Sequence, residues 1–175
     1  MNGNASTQAD VPVELVGADG FSCARYALGR VKCWGAKSPV LGTAKPYDIH
    51  SPANITEPVF GMAASGSILC LIVGDKRVVR CFTTKASDLR AGSTPGNPIM
   101  YASTVIVNGP AGAISKSLIL PLQGVTKVGI GWGHACALTG QSGQIFCWGD
   151  NINFALGNGN SNSAYTTSNA EKIVL

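Results

Sequence analysis

Charge is scarce in this chain: Asp, Glu, Lys and Arg together make up only 13% of its 175 residues, where about a quarter is usual. That shortage disfavours a protein of solvated helical faces. The 13 Lys and Arg residues never gather into a run and the net charge is only +4, so the clustered basic footprint of a nucleic-acid surface is missing. No stretch approaches the ~18 consecutive apolar residues of a membrane span. The first residues, MNGNASTQADVPVE, lack both a basic start and an apolar centre and do not read as a signal peptide. Histidine is limited to His50 and His134, no C-x-x-C and no G-x-S-x-G occur, and the nine acids are scattered. A zinc centre, a hydrolase elbow and a carboxylate dyad therefore have no sequence support. The run Gly129-Ile130-Gly131-Trp132-Gly133 does not match G-x-G-x-x-G and is no phosphate cradle.

Glycine, by contrast, is plentiful, with 22 residues spread along the chain, and it punctuates three similar segments. These are GADGFSCARYALGRVKCWGAKSPVLGT from Gly17, ASGSILCLIVGDKRVVRCFTTKASDLRAG from Ala64, and GIGWGHACALTGQSGQIFCWGDNINFALGNG from Gly129. Each has an apolar segment ending in Cys, a glycine-containing turn, a second apolar segment ending in Cys and then a polar loop. In the first and third, Trp-Gly follows the second Cys and Leu-Gly closes the loop: Trp34, Gly35, Leu41 and Gly42, then Trp148, Gly149, Leu156 and Gly157. The first cysteines are spaced by 47 and then 66 residues, so the second unit carries an insertion. Repetition at this period is the mark of a stacked repeat architecture.

Each unit reads as an antiparallel hairpin. In the third, Cys136 and Cys147 are symmetric about a turn at Thr139 to Gln144, which sets Leu138 opposite Ile145. Ala135, Ala137, Phe146 and Trp148 share the other face. Both faces are apolar, as in a strand pair buried between sheets. The middle unit centres on a two-residue loop, Asp75-Lys76, preceded by Gly74. The first is one residue shorter and needs an odd loop, Ala27-Leu28-Gly29, whose third position suits a glycine with positive φ. Within 83–123, Asn108-Gly109 between two β-rich runs predicts an extra hairpin on one rim.

The six cysteines fall into three facing pairs: Cys23 with Cys33, Cys70 with Cys81, and Cys136 with Cys147. Facing residues on antiparallel neighbours are about 4.5–5.5 Å apart at Cα, within reach of a disulfide. Disulfides are the leading reading, ahead of free thiols packed as small core residues and well ahead of zinc. The sequons at Asn4 and Asn54 point the same way, to an oxidising compartment where glycosylation at Asn4 and Asn54 is possible.

The third unit supplies a fuller pattern: Gly131, His134, Ala137, Leu138, Gly143, Ile145, Trp148, Gly149, Asn151, Leu156, Gly157 and Gly159. This resembles the regulator of chromosome condensation repeat. The match is fair in the first unit and poor in the second, where Phe82-Thr83 replaces Trp-Gly. The paired cysteines are similar to the secreted or surface branch, which includes bacterial tubulin-suppressor-like repeat proteins and the ectodomains of plant crinkly-type receptor kinases. The resemblance implies an all-β chain, a partial β-propeller of about three blades, each an antiparallel hairpin with an intra-blade cysteine pair. His134 stands at the repeat's own histidine position, which implies packing and hydrogen bonding rather than base catalysis. Trp34 and Trp148 are expected to fill the space between blades.

The expected organisation is a disordered amino end at 1–11, blades at 12–57, 58–123 (with the inserted hairpin) and 124–168, and the start of a further repeat at 169–175. A closed propeller needs at least four blades. The chain therefore reads as a fragment, expected to meet neighbouring blades of a longer chain or other copies of itself. Val11, Val13, Leu15 and Val16 at one end, and Ile173, Val174 and Leu175 at the other, are expected to lie uncovered, with only slight protection from Asp10 and Pro12. The expected function is a non-enzymatic protein-interaction scaffold, extracellular or at the cell surface, with a protein partner and without cofactor, metal or nucleic acid. The alternative is an intracellular fragment of a guanine-nucleotide exchange factor for a small GTPase, the activity of the founding family member.

Overall fold

Short apolar segments punctuated by glycine fold into strands, and each sequence unit makes its own sheet. The computed structural model describes residues 9–36, 38, 49, 51, 55–83, 104–109, 112–116, 122–131, 134–140, 143–160 and 166–173. The first sheet holds β1 (Pro12–Ala18), β2 (Phe21–Tyr26) and β3 (Val31–Trp34) in the order β1-β2-β3. The second holds β4 (Val59–Ser65), β5 (Ile68–Val73), β6 (Val78–Thr83), β7 (Thr104–Gly109) and β8 (Gly112–Lys116) in chain order. The third runs β12-β11-β10-β9, from β9 (Val125–Ile130), β10 (His134–Thr139), β11 (Ile145–Asp150) and β12 (Thr166–Lys172). The architecture is thus all-β, with three blade-like sheets. No helix among the described residues is long and apolar enough to cross a membrane.

The predicted hairpin registers are found. Cys23 faces Cys33, Cys70 faces Cys81 and Cys136 faces Cys147. Leu138 faces Ile145 and Ala135 faces Trp148. The first loop is Ala27-Leu28-Gly29, with Gly29 at φ 83°, closed by a bond from Tyr26 N–H to Arg30 C=O at 2.8 Å.

Four expectations need correction. The middle loop is four residues long, Gly74 to Arg77, because Val73 and Val78 form the last pair; Arg77 accepts the positive φ, 49°, that such a loop requires. In the insertion, pairing continues through Asn108↔Ala113 and Gly109↔Gly112, so the chain reverses just beyond the Asn-Gly dipeptide. The extra hairpin itself is present, at the edge of the second sheet. It extends the second sheet sideways, β7 lying parallel to β6. Residues 169–172 do not open a new unit: Glu171 and Lys172 belong to β12, which pairs with β11 on the side opposite β10. Residues 171–175 resemble Gly124 to Val128 and Glu57 to Gly61 only as short runs that mix polar and apolar residues, which does not fix their pairing partner. Finally, the amino end is tied down from Ala9 onward. Val11 C=O accepts from Ala27 N–H at 2.9 Å, and the Asp10 carboxylate accepts from Leu28 N–H at 3.0 Å and from the Arg30 guanidinium.

The sheets stack in chain order through their first strands, β1 against β4 and β4 against β9. Two cores result. Between the first and second sheets lie Phe21, Cys23, Val31, Cys33, Val59, Met62, Leu69, Leu71, Val73 and Phe82. Between the second and third lie Cys70, Ile72, Val79, Cys81, Val125, Ala135, Ala137 and Trp148. Successive residues of β5 therefore alternate between the two cores, and its Leu69 to Val73 run is buried on both faces. Burial on both faces makes a strand read as a continuous apolar run rather than an alternation.

Candidate functional site: the sheet junctions and the open faces

Each cysteine pair stands at bonding distance, with Cα atoms 4.1, 4.0 and 4.1 Å apart. The first pair belongs to the first core and the second pair to the second core, so each faces the sheet that follows. By the same register the third pair, with Leu138 and Ile145, lies on the face of the third sheet turned away from the second. Among the described residues that face is only partly covered: Cys147 is buried, while Cys136, Leu138 and Ile145 are half-buried.

The residue after the second cysteine points the other way, toward the preceding sheet. Phe82 is 1% exposed in the first core and Trp148 is 0% exposed in the second. Phe82 therefore does the packing that Trp does in the third unit, although the Trp-Gly motif is missing. Trp34 holds the same place in the first sheet and is only partly buried. Across β2, Val13 and Leu15 of β1 are 51% and 70% exposed, and Val11 is 50% exposed. Val16 instead packs on the first core, contrary to the expectation that it lies uncovered. Ile173 is half-buried, beside Gly157. Val174 and Leu175 lie outside the described residues.

Main-chain hydrogen bonds join the sheets, and they repeat. Val59 N–H donates to Gly29 C=O at 2.9 Å, and Val125 N–H donates to Arg77 C=O at 3.1 Å, beside a second bond from Gly124 N–H to Lys76 C=O at 2.8 Å. The hairpin tip of one sheet thus accepts from the start of the first strand of the next. Gly29 sits in the left-handed region, and a Cβ there would come within 2.9 Å of Pro58 Cβ and Val59 N. Only glycine allows this approach of the two backbones. A side-chain bond supports the same junction: Glu14 accepts from Arg25 Nε at 2.6 Å and from Met62 N–H of the second sheet at 3.2 Å.

The other repeat positions are structural in their surroundings. Any Cβ at Gly131 would stand 2.3 Å from His134 Cε1, so the imidazole occupies the space that glycine leaves. His134 C=O accepts from Gly131 N–H at 2.9 Å. Asn151 is buried; its Oδ1 accepts from Leu156 N–H and its Nδ2 donates to Asn160 C=O, each at 3.1 Å. These bonds hold the polar loop so that Leu156 is fully buried. Gly35 takes φ 110° and Gly149 φ 104° after their tryptophans. Leu41, Gly42, Asn4, Asn54, His50 and Trp132 fall outside the described residues. Trp148 Nε1 is buried with no acceptor among the described residues.

Among the described residues, chemistry-bearing groups do not converge. No cluster of three His, Cys, Asp or Glu residues suited to a metal occurs among the described residues. An open cleft of about 340 Å³ lies at the first junction, lined by Arg30, Lys32, Glu57 and Pro58 among others. Its charges are largely spoken for: Arg30 pairs with Asp10, and Glu57 accepts from Arg80 at 2.5 and 3.1 Å. Bonds from Leu28 N–H and Arg30 hold the Asp10 carboxyl below its usual range. The sequence did not single out the junction positions, yet a signal was there. Pro12, Val59 and Val125 each lie eleven residues before the first cysteine of their unit.

Residues 125–154 match the family model of the Regulator of chromosome condensation (RCC1) repeat. No curated protein is similar enough in sequence to match the chain. Among solved structures, human WBSCR16 is 20% identical with a TM-score of 0.61, over 94% of this chain and 38% of that one. Prp20p from Saccharomyces cerevisiae is 15% identical with a TM-score of 0.64, over 94% of this chain and 36% of that one. Yeast RCC1 (Prp20) solved with Kap60 gives 14% identity and a TM-score of 0.62, over 94% and 35%. The chain spans little more than a third of the length of these structures. It carries a repeat of the RCC1 type and has the fold of part of such a propeller.

Proposed function

We propose that this chain is part of a larger propeller that serves as a non-enzymatic protein-interaction scaffold outside the cell or at its surface. The observation that carries the reading is the build of the junctions: Gly35, Gly131, His134, Trp148, Gly149, Leu156 and Gly157 are spent on packing and turns, while Trp34 is only partly buried. One protein of similar fold, yeast RCC1 (Prp20), is described with protein partners: Gsp1p and histones with one structure, Kap60 in another. A partner of this chain would likewise be a protein, docking on loops that the sheets hold rigid. The three cysteine pairs support an oxidising compartment. Non-reducing peptide mapping should join 23 with 33, 70 with 81 and 136 with 147. Free thiols throughout in protein taken from its native source would remove the extracellular setting.

The second reading, a fragment of a guanine-nucleotide exchange factor for a small GTPase, is favoured by the likeness to Prp20p and by nothing at a particular residue. Release of fluorescent GDP from a panel of small GTPases separates the two. The scaffold reading expects no acceleration by the purified, oxidised chain, and a dose-dependent acceleration would overturn it.

A further inference from the structure

Three hairpin tips can be superposed by their bonds. Val11, Pro58 and Gly124 each accept, through their carbonyls, from the first tip residue of their own unit: Ala27, Gly74 and Gly140, at 2.9, 3.0 and 2.9 Å. The next residues, Pro12, Val59 and Val125, are therefore equivalent. A register shift follows each, between Pro12 and Glu14, between Val59 and Gly61, and opposite Leu138 and Thr139 in β9. At the far side of each tip, Gly29, Arg77 and Gly143 share positive φ angles of 83°, 49° and 61°.

In both junctions within the chain, the second residue of this column donates to the third. Val59 donates to Gly29 and Val125 to Arg77. Gly143 has the acceptor's conformation and is exposed. At the opposite end the donor is missing: proline has no N–H. The neighbouring Val11 N–H is engaged with Ala9 C=O at 3.0 Å, and Asp10 is held by Leu28 and Arg30. The first sheet is thus closed to this bond at its amino edge although its face is still apolar.

From this asymmetry we infer that the open face of the third sheet, with Gly143 C=O at its rim, takes a further blade of the same repeat type. The occupant's first strand starts with a free N–H, and an aromatic follows its second cysteine. Pro12 denies the first sheet of a second copy this bond, and so weakens its claim on that place. The array is polar: it extends at the third sheet by the junction used twice within the chain, and head-to-tail contact between copies is the weaker for want of that bond. The inference rests on the chain being part of a larger propeller. Its test reads self-association and not exchange or partner binding, so either can fail alone.

The test restores the missing donor in the full, oxidised chain. Sedimentation equilibrium across a dilution series compares the wild type with Pro12→Val and Pro12→Ala. Restoring one backbone hydrogen bond should tighten head-to-tail association about three- to tenfold. Leu138→Asp on the acceptor face should abolish the gain, as should Leu15→Asp on the donor face, when either is combined with Pro12→Val. Circular dichroism and disulfide mapping confirm that each variant is folded. The inference is overturned if both Pro12 variants associate no more tightly than wild type. It is also overturned if wild type already assembles at low micromolar concentration in a way that Leu138→Asp dissolves.

Discussion

Trp148 and Trp34 follow the second cysteine of their units in the same Cys-Trp-Gly setting, yet one is fully buried and the other is not. The difference lies in what stands before them. Trp148 meets the second sheet, while the face that carries Trp34 meets nothing among the described residues. Phe82 makes the lesson sharper, because the unit with the poorest motif has the most deeply buried strands, from Leu69 to Val73. Agreement with the repeat pattern therefore does not measure burial. Position in the stack does, and a middle sheet with two covered faces can dispense with Trp-Gly if an aromatic of similar size remains.

The largest expected effect comes from breaking that comparison at its buried members. Trp148→Ala and Phe82→Ala should each cost about 3–5 kcal/mol, the range for large aromatic cores emptied to alanine. Trp34→Ala should cost less than half as much, since part of its surface is already wet. Chemical denaturation of the three variants checks the order; equal losses would mean that the face bearing Trp34 is covered in solution. Removing the middle cysteine pair as Cys70→Ala/Cys81→Ala should come next, at roughly 2–3 kcal/mol for so short a loop. The denaturant midpoint should fall with little change in slope.

The hairpins were legible because their information is local. Cysteine spacing, the odd loop ending in Gly29 and the apolar run through Leu71 each constrain a few neighbouring residues. The open-face residues Val13 and Leu15 were legible too, once the number of units was counted. What the sequence hid depends on pairing across longer separations. Whether Glu171 starts a unit or finishes one turns on whether it pairs within a following unit or with β11, and a short run ending in apolar residues looks alike in both cases. The insertion shows the same limit: its hairpin was visible, but its parallel attachment to β6 was not, since parallel partners carry no turn signal. The candidate surface was the least visible, because it turns on main-chain groups, the Gly143 C=O and the N–H that Pro12 lacks, and not on side chains.

Smaller effects sharpen the junction itself. Gly29→Ala adds left-handed strain of about 1–2 kcal/mol and presses a methyl group against Pro58 and Val59. Gly66→Ala, with φ 55° and open space around it, should show the strain alone. A larger loss at Gly29 than at Gly66, read by thermal unfolding, would isolate the contribution of the close approach. Arg80→Met should cost about 1 kcal/mol or less, because Arg80 and Glu57 are 24% and 41% exposed and such pairs are screened.

The smallest effect is the pH dependence of the amino clamp. Asp10 has a folded-state pKa below its ordinary 3.8, first through the bond from Leu28 N–H and then through Arg30. A depressed carboxyl pKa means that the unfolded chain binds the proton more readily. The clamp's contribution is therefore fully present above the unfolded value of 3.8 and is lost as pH falls through the lower folded value. Wild type should lose more stability than Asp10→Asn over that acid interval, and the two should run parallel from pH ~5 upward. Val11 and Leu28 amide signals followed by NMR through the same titration should shift together in the wild type and not in the variant. Were the two proteins to lose stability equally on acidification, Asp10 would not be the group that fastens the start of β1 to the first hairpin tip. The closure of the amino edge would then rest on Pro12 and the Val11 bond alone.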